Sequence, residues 1–157
     1  MRSPVWSCSW QAMKAVTARA VFTWLTAGGR LTEIMQLDAS TILGFAAPDG
    51  VNHPLFAKVR ALIDKGRTWV KLSGAYADTK IGPPSYSDSS AVARAYAKAA
   101  PERCVWGSDW PHPGEQSKQL PDDALLFDLL TDWVPDERVR HRILVDNPAS
   151  LYDFATG

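Results

Sequence analysis

The chain has 157 residues, of which 46% are hydrophobic and 22% charged, and its 17 basic and 17 acidic side chains leave no formal net charge. This composition excludes a disordered chain and predicts one globular domain, and the absence of a basic stripe interleaved with aromatic residues excludes a nucleic-acid-binding protein. No apolar run approaches the roughly 18 residues of a membrane span, and the N-terminus has no uninterrupted apolar segment typical of a secretory signal. We therefore expect a soluble cytoplasmic protein without nucleic-acid or membrane partners.

The first 48 residues carry a weak pattern and are interpreted as an N-terminal extension of uncertain structure. Gln11 to Leu25 fits an amphipathic helix that ends at Gly28-Gly29, but its β-branched residues fit a strand as well. Residues 30–47 are interpreted as a second helical or mixed segment. Within it, Leu37-Asp38 resembles the end of a strand that leads into a helix.

The pattern becomes regular after residue 49 and predicts a helix followed by a strand. The helix begins near His53 and stops at Gly66, because its apolar residues recur at helical spacing: Leu55, Phe56, Val59, Leu62 and Ile63. Thr68–Ser73 is a strand, and the segment Tyr76–Ser87 after it is a loop long enough to close over a pocket.

Further helices and a strand complete the pattern. Ser87 is expected to cap a helix that ends before Pro101, and Cys104–Trp106 is a short buried strand. A later helix is predicted to open at Pro121, with Asp122 and Asp123 in its first turn, and another to open at Pro135 and run through Leu144. Asn147 is expected to cap a last helical turn. The helix that opens at Pro121 should bury a wide apolar face, formed by Leu125, Leu126, Leu129, Leu130 and Trp133. Strands that alternate with helices indicate an α/β fold with a parallel sheet.

The stretch after Cys104–Trp106 carries the residues best suited to chemistry. Here a buried strand stops at Gly107 and delivers Asp109 and His112 into a loop stiffened by prolines. Alternatively, Asp109 caps a turn and His112 simply packs, since Asp and Pro are ordinary turn residues. The chain has no Gly-x-Ser-x-Gly, Walker or Gly-x-Gly-x-x-Gly motif, which argues against serine hydrolases and nucleotide-binding proteins.

Three segments in this order, Trp69–Tyr76, Ala100–Pro113 and Asp146–Tyr152, resemble the C-terminal part of the amidohydrolase-related hydrolases. The branch they resemble most contains 2-pyrone-4,6-dicarboxylate lactonase. The resemblance implies that residues 49–157 are the C-terminal part of a (β/α)₈ TIM-type barrel. Such a barrel needs about 250 residues. The chain is therefore interpreted as a fragment, a truncated gene product or a diverged half-barrel.

The resemblance also implies a reaction, the hydrolysis of a lactone or related ester, a small-molecule substrate. Asp109 holds the position of the family's general base and would activate water, and His112 would bind substrate, with a structural role in the loop equally open. Ser73, Tyr76 and Lys71 are the remaining candidates for substrate binding. Lys71 either points into the barrel toward an anionic substrate or extends outward to solvent.

The chain departs from the family where metal ligands are expected. Family members carry a His-x-His pair on the first strand and an Asp-His-x-Gly-Arg-like segment, but the three histidines here, His53, His112 and His141, have no such setting. Zinc is possible in the parent family, yet about three protein ligands would be needed and none are assigned here. No other cofactor is identified. His53 is interpreted as a helix cap or surface residue.

A further departure from the family concerns the substrate. Ala75-Tyr76-Ala77 stands where the lactonase branch places an Arg after Ser73-Gly74, so the dicarboxylate substrate of that branch does not carry over.

Cys8 and Cys104 lie far apart in unlike contexts, which argues against a disulfide or a cysteine zinc site, and Cys104 is expected to be a small buried hydrophobe.

The missing His-x-His pair favours a second hypothesis, that the chain is a catalytically inactive remnant. Such a remnant would show little or no lactone hydrolysis. A half-barrel would also expose unpaired edge strands and an uncovered apolar face. We therefore expect it to form homo-oligomers or aggregates, or to pair with a complementary half-barrel.

Overall fold

The computed structural model describes residues 22–27, 30–37, 50–52, 54–77, 79–112 and 120–152. Strands in this part of the chain are β1 (Phe22–Ala27), β2 (Arg30–Leu37), β3 (Thr68–Leu72) and β4 (Cys104–Trp106). Its α-helices are α1 (Pro54–Asp64), α2 (Ser87–Ala99), α3 (Asp123–Trp133), α4 (Glu137–His141) and α5 (Asn147–Tyr152), and a π-helical segment, Arg142–Asp146, joins the last two. None of the helices in these ranges is long and apolar enough to cross a membrane.

The strands form one sheet in the order β1-β2-β3-β4. β1 and β2 are antiparallel, whereas β2, β3 and β4 run parallel, with Val70 opposite Cys104 and Leu72 opposite Trp106. Parallel strands that alternate with helices from β3 onward confirm the predicted α/β class and are consistent with part of a barrel. Closure into a barrel is not observed among the described residues.

The helical prediction for the N-terminal segments is wrong where the structure describes them. Phe22–Leu25 belongs to β1 and Arg30–Leu37 forms β2, so the strand alternative holds for the first segment. Pairing of β2 with both β1 and β3 supplies backbone partners that the local pattern does not reveal. β2 does end at Leu37, as predicted, and the remainder of Gln11–Leu25 lies outside the described residues.

The two faces of the sheet bury different sets of side chains. Val70, Leu72 and Cys104 join the main core under α1, α2 and α3, together with fully buried Tyr96 and Leu130. A second cluster consists of Trp69, Val105 and Leu151. Because successive strand residues point to opposite faces, Lys71 lies on the face of Trp69 and Val105, away from the main core.

Cys104 fills the role expected of it as a small buried residue. Its side chain is completely buried, and its thiol is free. Burial, followed by the nearby charge of Glu102, raises the pKa of the Cys104 thiol to about 12. The reactive thiolate is therefore suppressed at neutral pH, and the residue contributes packing rather than chemistry.

The start of α2 differs from the prediction. Ser87 is the first helical residue rather than the cap, and Tyr86, in the cap position, makes no side-chain cap hydrogen bond. Asp88 instead holds the preceding loop by accepting hydrogen bonds from Thr79 Oγ1 at 2.6 Å and from the Lys80 backbone N–H at 2.7 Å. Burial alone would raise the pKa of Asp88, but these hydrogen bonds lower it below its ordinary value. The start of α3 also differs from the prediction, because the helix begins at Asp123 rather than at Pro121 and Asp122 is its N-cap.

Asn147 is the first residue of α5 rather than its cap, because the chain is already helical in the π-helical segment before it. The side chain is buried, and its Nδ2 donates to the backbone oxygens of Pro101 at 2.7 Å and Cys104 at 2.6 Å. These bonds attach the C-terminal helix to the start of β4.

Candidate functional site

The candidate site lies where β3 and β4 end. Parallel neighbours bring their carboxyl ends to the same edge, so Ser73 after β3 lies near the loop Gly107–His112 after β4, which we call the site loop. The backbone N–H of Gly107 donates to the oxygen of Leu72 at 3.3 Å and extends the strand pairing into this loop. Binding sites of α/β sheets and barrels form at this edge.

Asp109 is held on both carboxylate oxygens. Its Oδ2 accepts a hydrogen bond from the Tyr76 hydroxyl at 2.8 Å, and its Oδ1 lies 3.8 Å from Lys71 Nζ. Only 9% of the side chain is exposed. Its backbone φ is +66°, a left-handed conformation that Asp adopts more readily than most residues. The carboxylate is thus oriented by a phenol and an ammonium group in a largely shielded position.

Lys71 reaches Asp109 because Gly107 leaves space. Gly107 lies outside the left-handed region, so its backbone does not require a glycine. A Cβ at this position, however, would lie 2.3 Å from Lys71 Cε and 3.2 Å from its Nζ. The lysine therefore crosses the end of β4 through the space of the missing side chain. The sequence left its direction open, and the structure directs Lys71 toward the site carboxylate.

His112 closes the site loop and is almost completely buried, with 2% of its surface exposed. Its backbone N–H donates to the backbone carbonyl oxygen of Asp109 at 2.7 Å, and its ring contacts the Tyr76 ring edge-on, with 5.2 Å between the ring centroids. Its Nε2 lies 3.2 Å from Oδ1 of Asp123 at the start of α3. Its Nδ1 is buried and has no hydrogen-bond partner among the described residues.

Ser73 is also buried, and its Oγ has no hydrogen-bond partner among the described residues. The structure therefore joins Asp109, Lys71, Tyr76 and His112 through direct contacts. Ser73 lies at the same edge of the sheet, with no contact to these four established. His53 lies outside the described residues.

Two residues of the site were not identified from the sequence. The sequence indicates Asp123 only as a carboxylate that suits the helix dipole, and Gly107 only as the end of a strand. Neither assignment was wrong locally, but each residue also contacts a site residue distant in the chain. No local pattern in the sequence marks either of these contacts.

A zinc site does not fit the residues that the structure describes. They contain no group of three or more His, Cys, Asp or Glu side chains able to hold a metal ion. The carboxylate of Asp109 is engaged by Tyr76 and Lys71, and Nε2 of His112 is engaged by Asp123. A structural or catalytic zinc ion is bound by about three or four converging protein ligands, more than these side chains supply.

Comparison with known proteins places these residues in context. Residues 43–154 match the family model described as Amidohydrolase. The chain is 44% identical over 103 residues to D-galactarolactone isomerase of Agrobacterium fabrum, covering 65% of this chain and 35% of that protein. It is 44% identical over 104 residues to 4-sulfomuconolactone hydrolase of Rhizobium radiobacter, covering 66% and 34%.

A solved structure is also similar. The crystal structure of a probable 2-pyrone-4,6-dicarboxylic acid hydrolase from Acinetobacter baumannii, with citric acid bound, matches at a TM-score of 0.54 and 27% identity. This match covers 68% of the present chain and 39% of the other. The chain spans about a third of the length of the curated relatives it matches.

Proposed function

Since this chain belongs to the amidohydrolase family, we propose that it carries a site that hydrolyses a lactone or related ester with water activated by Asp109. The predicted resemblance to the amidohydrolase-related hydrolases is confirmed by the family match, and the similar proteins include lactone hydrolases. The observation that carries the proposal is the Asp109 carboxylate at the end of β4, held between Tyr76 and Lys71. The lactone substrates in the names of both curated relatives support the substrate class.

In the proposed reaction, Asp109 takes a proton from a water molecule as that water adds to the lactone carbonyl carbon. An ionised carboxylate accepts hydrogen bonds at both of its oxygens, so Asp109 receives the water proton as an acceptor. The ring C–O bond then breaks, and the proton on Asp109 passes to the leaving alkoxide. The product is a hydroxy acid that carries one oxygen from the solvent.

Lys71 and Tyr76 prepare Asp109 for this role. The ammonium group of Lys71 lies 3.8 Å from the carboxylate of Asp109, and the Tyr76 hydroxyl orients this carboxylate by donating a hydrogen bond to it. The same positive charge stabilises the oxyanion that forms at the carbonyl oxygen. The buried hydroxyl of Ser73 and ring of His112 are assigned to substrate binding. No step passes through a metal.

The proposal is tested by incubating the purified chain with a panel of five- and six-membered lactones and measuring acid release against an enzyme-free blank. Turnover that depends on Asp109 supports it. Turnover that is indifferent to Asp109 would place the base elsewhere.

The space at Gly107 leads to a first prediction. Gly107→Ala should displace the Lys71 ammonium from Asp109, because the new Cβ occupies the position of Lys71 Cε. We expect kcat/KM for lactone hydrolysis to fall by about tenfold or more, the scale of one charge-assisted contact. The effect on folding should be small, since a flexible lysine end is able to move. Initial rates and urea unfolding measure the two quantities.

The matched control for this prediction is the Lys71→Ala background. Without the long side chain there is no clash, so Gly107→Ala should change neither the rate nor the free energy of unfolding further. Equal losses in both backgrounds would show that Gly107 acts independently of Lys71.

As a second candidate function we propose assembly through exposed apolar side chains and the edge of β4. Trp110 is 75% exposed, Leu120 56% and Phe127 46%, and Phe127 contacts the ring of Trp106 edge-on. β4 also pairs with no strand other than β3 among the described residues. Exposed apolar side chains and an unpaired strand edge favour association. The proposed partner is a second copy or a complementary half-barrel.

We predict that the isolated chain elutes as a dimer or larger species and dissociates on dilution. Size-exclusion chromatography with light scattering across a dilution series measures this. Phe127→Asp should shift the equilibrium toward monomer, whereas Val145→Asp, at a 50% exposed position on the π-helical segment, should not. A wild-type chain that stays monomeric and unfolds cooperatively would contradict the prediction.

A further inference from the structure

We infer that Asp123 is a positioning residue that fixes the tautomer of His112 and leaves the Nδ1 of that ring as a hydrogen-bond acceptor in the site. The inference deepens the proposed function and rests on it for the role of His112 at the substrate. The contact between the two side chains stands on its own geometry.

The contact between His112 and Asp123 defines where the ring carries its proton. Nε2 lies 3.2 Å from Asp123 Oδ1, with the imidazole 2% exposed and the Asp123 side chain 49% exposed. An ionised carboxylate only accepts hydrogen bonds, so the nitrogen that faces it must be the donor. A neutral His112 therefore carries its proton on Nε2. In histidine, the hydrogen bond made by one ring nitrogen determines whether the other nitrogen is a donor or an acceptor.

The second ring nitrogen, Nδ1, is the one that we infer accepts a hydrogen bond from the ligand. Nδ1 is buried and has no partner among the described residues, and an unsatisfied buried polar atom is costly to leave. The ring touches Tyr76, which itself bonds to Asp109, so this acceptor belongs to the same cluster as the carboxylate. A group that satisfies it must be a donor, such as a hydroxyl on a lactone or on its hydroxy acid product.

Asp122 and Asp123, at the start of α3, make different contacts. Asp122 caps the helix by accepting from the backbone N–H groups of Ala124 at 2.9 Å and Leu125 at 3.3 Å. With the helix start satisfied in this way, the contact to His112 is the task that distinguishes Asp123. Asp122 therefore offers a matched control, adjacent in sequence, in the same helix turn and also exposed.

The tautomer is measured directly by NMR on the full chain labelled with ¹⁵N-histidine. With three histidines in the sequence, the signals of His112 are identified as those lost in His112→Gln. Spectra recorded near pH 8, above the ordinary imidazole pKa of about 6.5, should show His112 as a single neutral tautomer with the proton on Nε2 and a slowly exchanging Hε2. An Nδ1–H tautomer or a doubly protonated ring would overturn the inference.

Variants then separate positioning from helix stability. Asp123→Ala should speed exchange of the Hε2 proton about tenfold or more, the scale of a hydrogen bond to a charged group, and should move the two ¹⁵N shifts toward each other. Asp122→Ala should lower the melting temperature and leave both signals in place. Asp123→Glu, which keeps a carboxylate, should restore the slow exchange and serves if Asp123→Ala does not fold.

The outcomes distinguish this inference from the proposed function, because the spectra need no substrate. Unchanged Hε2 exchange in a folded Asp123→Ala or Asp123→Asn variant would overturn the role of Asp123, whatever the chain hydrolyses. The expected spectra in a chain that hydrolyses no lactone would keep the positioning role and refute only the proposed reaction.

Discussion

Replacing Asp109 with asparagine is expected to lower kcat/KM for lactone hydrolysis by about 10²- to 10⁴-fold, the usual contribution of a general base. Asparagine fills nearly the same space and still accepts a hydrogen bond from the Tyr76 hydroxyl, so the fold and the site loop should persist. It lacks the basicity needed to take a proton from water. Initial rates of acid release from wild type and Asp109→Asn give the ratio, which remains meaningful when turnover is slow.

Two further variants bracket this result. Tyr76→Phe removes only the hydroxyl that orients the carboxylate, so it should reduce the rate less than Asp109→Asn. Asp122→Asn replaces an exposed carboxylate outside the site cluster and should leave kcat/KM unchanged. Wild-type activity in Asp109→Asn would reject this residue as the base.

Asn147→Ala is expected to reduce the free energy of unfolding by about 2–4 kcal/mol, because each buried polar group left without a partner costs about 1–3 kcal/mol. The substitution removes both hydrogen bonds that the amide donates, to the backbone oxygens of Pro101 and Cys104. These oxygens lie at the start of the strand that presents Asp109. Urea unfolding followed by tryptophan fluorescence measures the change.

The neighbouring residue provides the control. The side chain of Asp146 is 60% exposed and forms an ion pair with the exposed His141 at 3.5 Å. Asp146→Ala should therefore change stability by less than about 0.5 kcal/mol. If Asn147→Ala were as mild as Asp146→Ala, the amide would not be the link between the C-terminal helix and β4.

Local pattern predicted the fold well where one face of an element is buried against the core. The apolar spacing from Phe56 to Ile63 gave α1, and the wide apolar face around Leu130 gave α3. The pattern failed for β1 and β2, because β-branched residues mixed with helix formers leave the period ambiguous. Their state depends on pairing with β3, which is distant in sequence.

The candidate site was predictable in its centre and not in its supports. Asp109 follows a buried strand, and parallel pairing of that strand with β3 places Asp109 near the end of β3, while the direction of the Lys71 side chain stays open. The roles of Gly107, Asp123 and Asn147 depend on how side chains meet in space. No local pattern marks the space left by the missing Cβ of Gly107 or the contact of Asp123 with the site loop. The same holds for the amide of Asn147, which bonds to carbonyls 43 and 46 residues away.

The most direct test of an Asp-activated water is the fate of solvent oxygen. In H₂¹⁸O, wild-type turnover of a lactone should place one ¹⁸O in each product carboxylate faster than the enzyme-free blank, and Asp109→Asn should reduce this incorporation to near the blank. Incorporation that Asp109→Asn leaves unchanged would contradict the account. So would turnover without ¹⁸O, because it would mean that a hydroxyl of the substrate, rather than water, attacks the carbonyl.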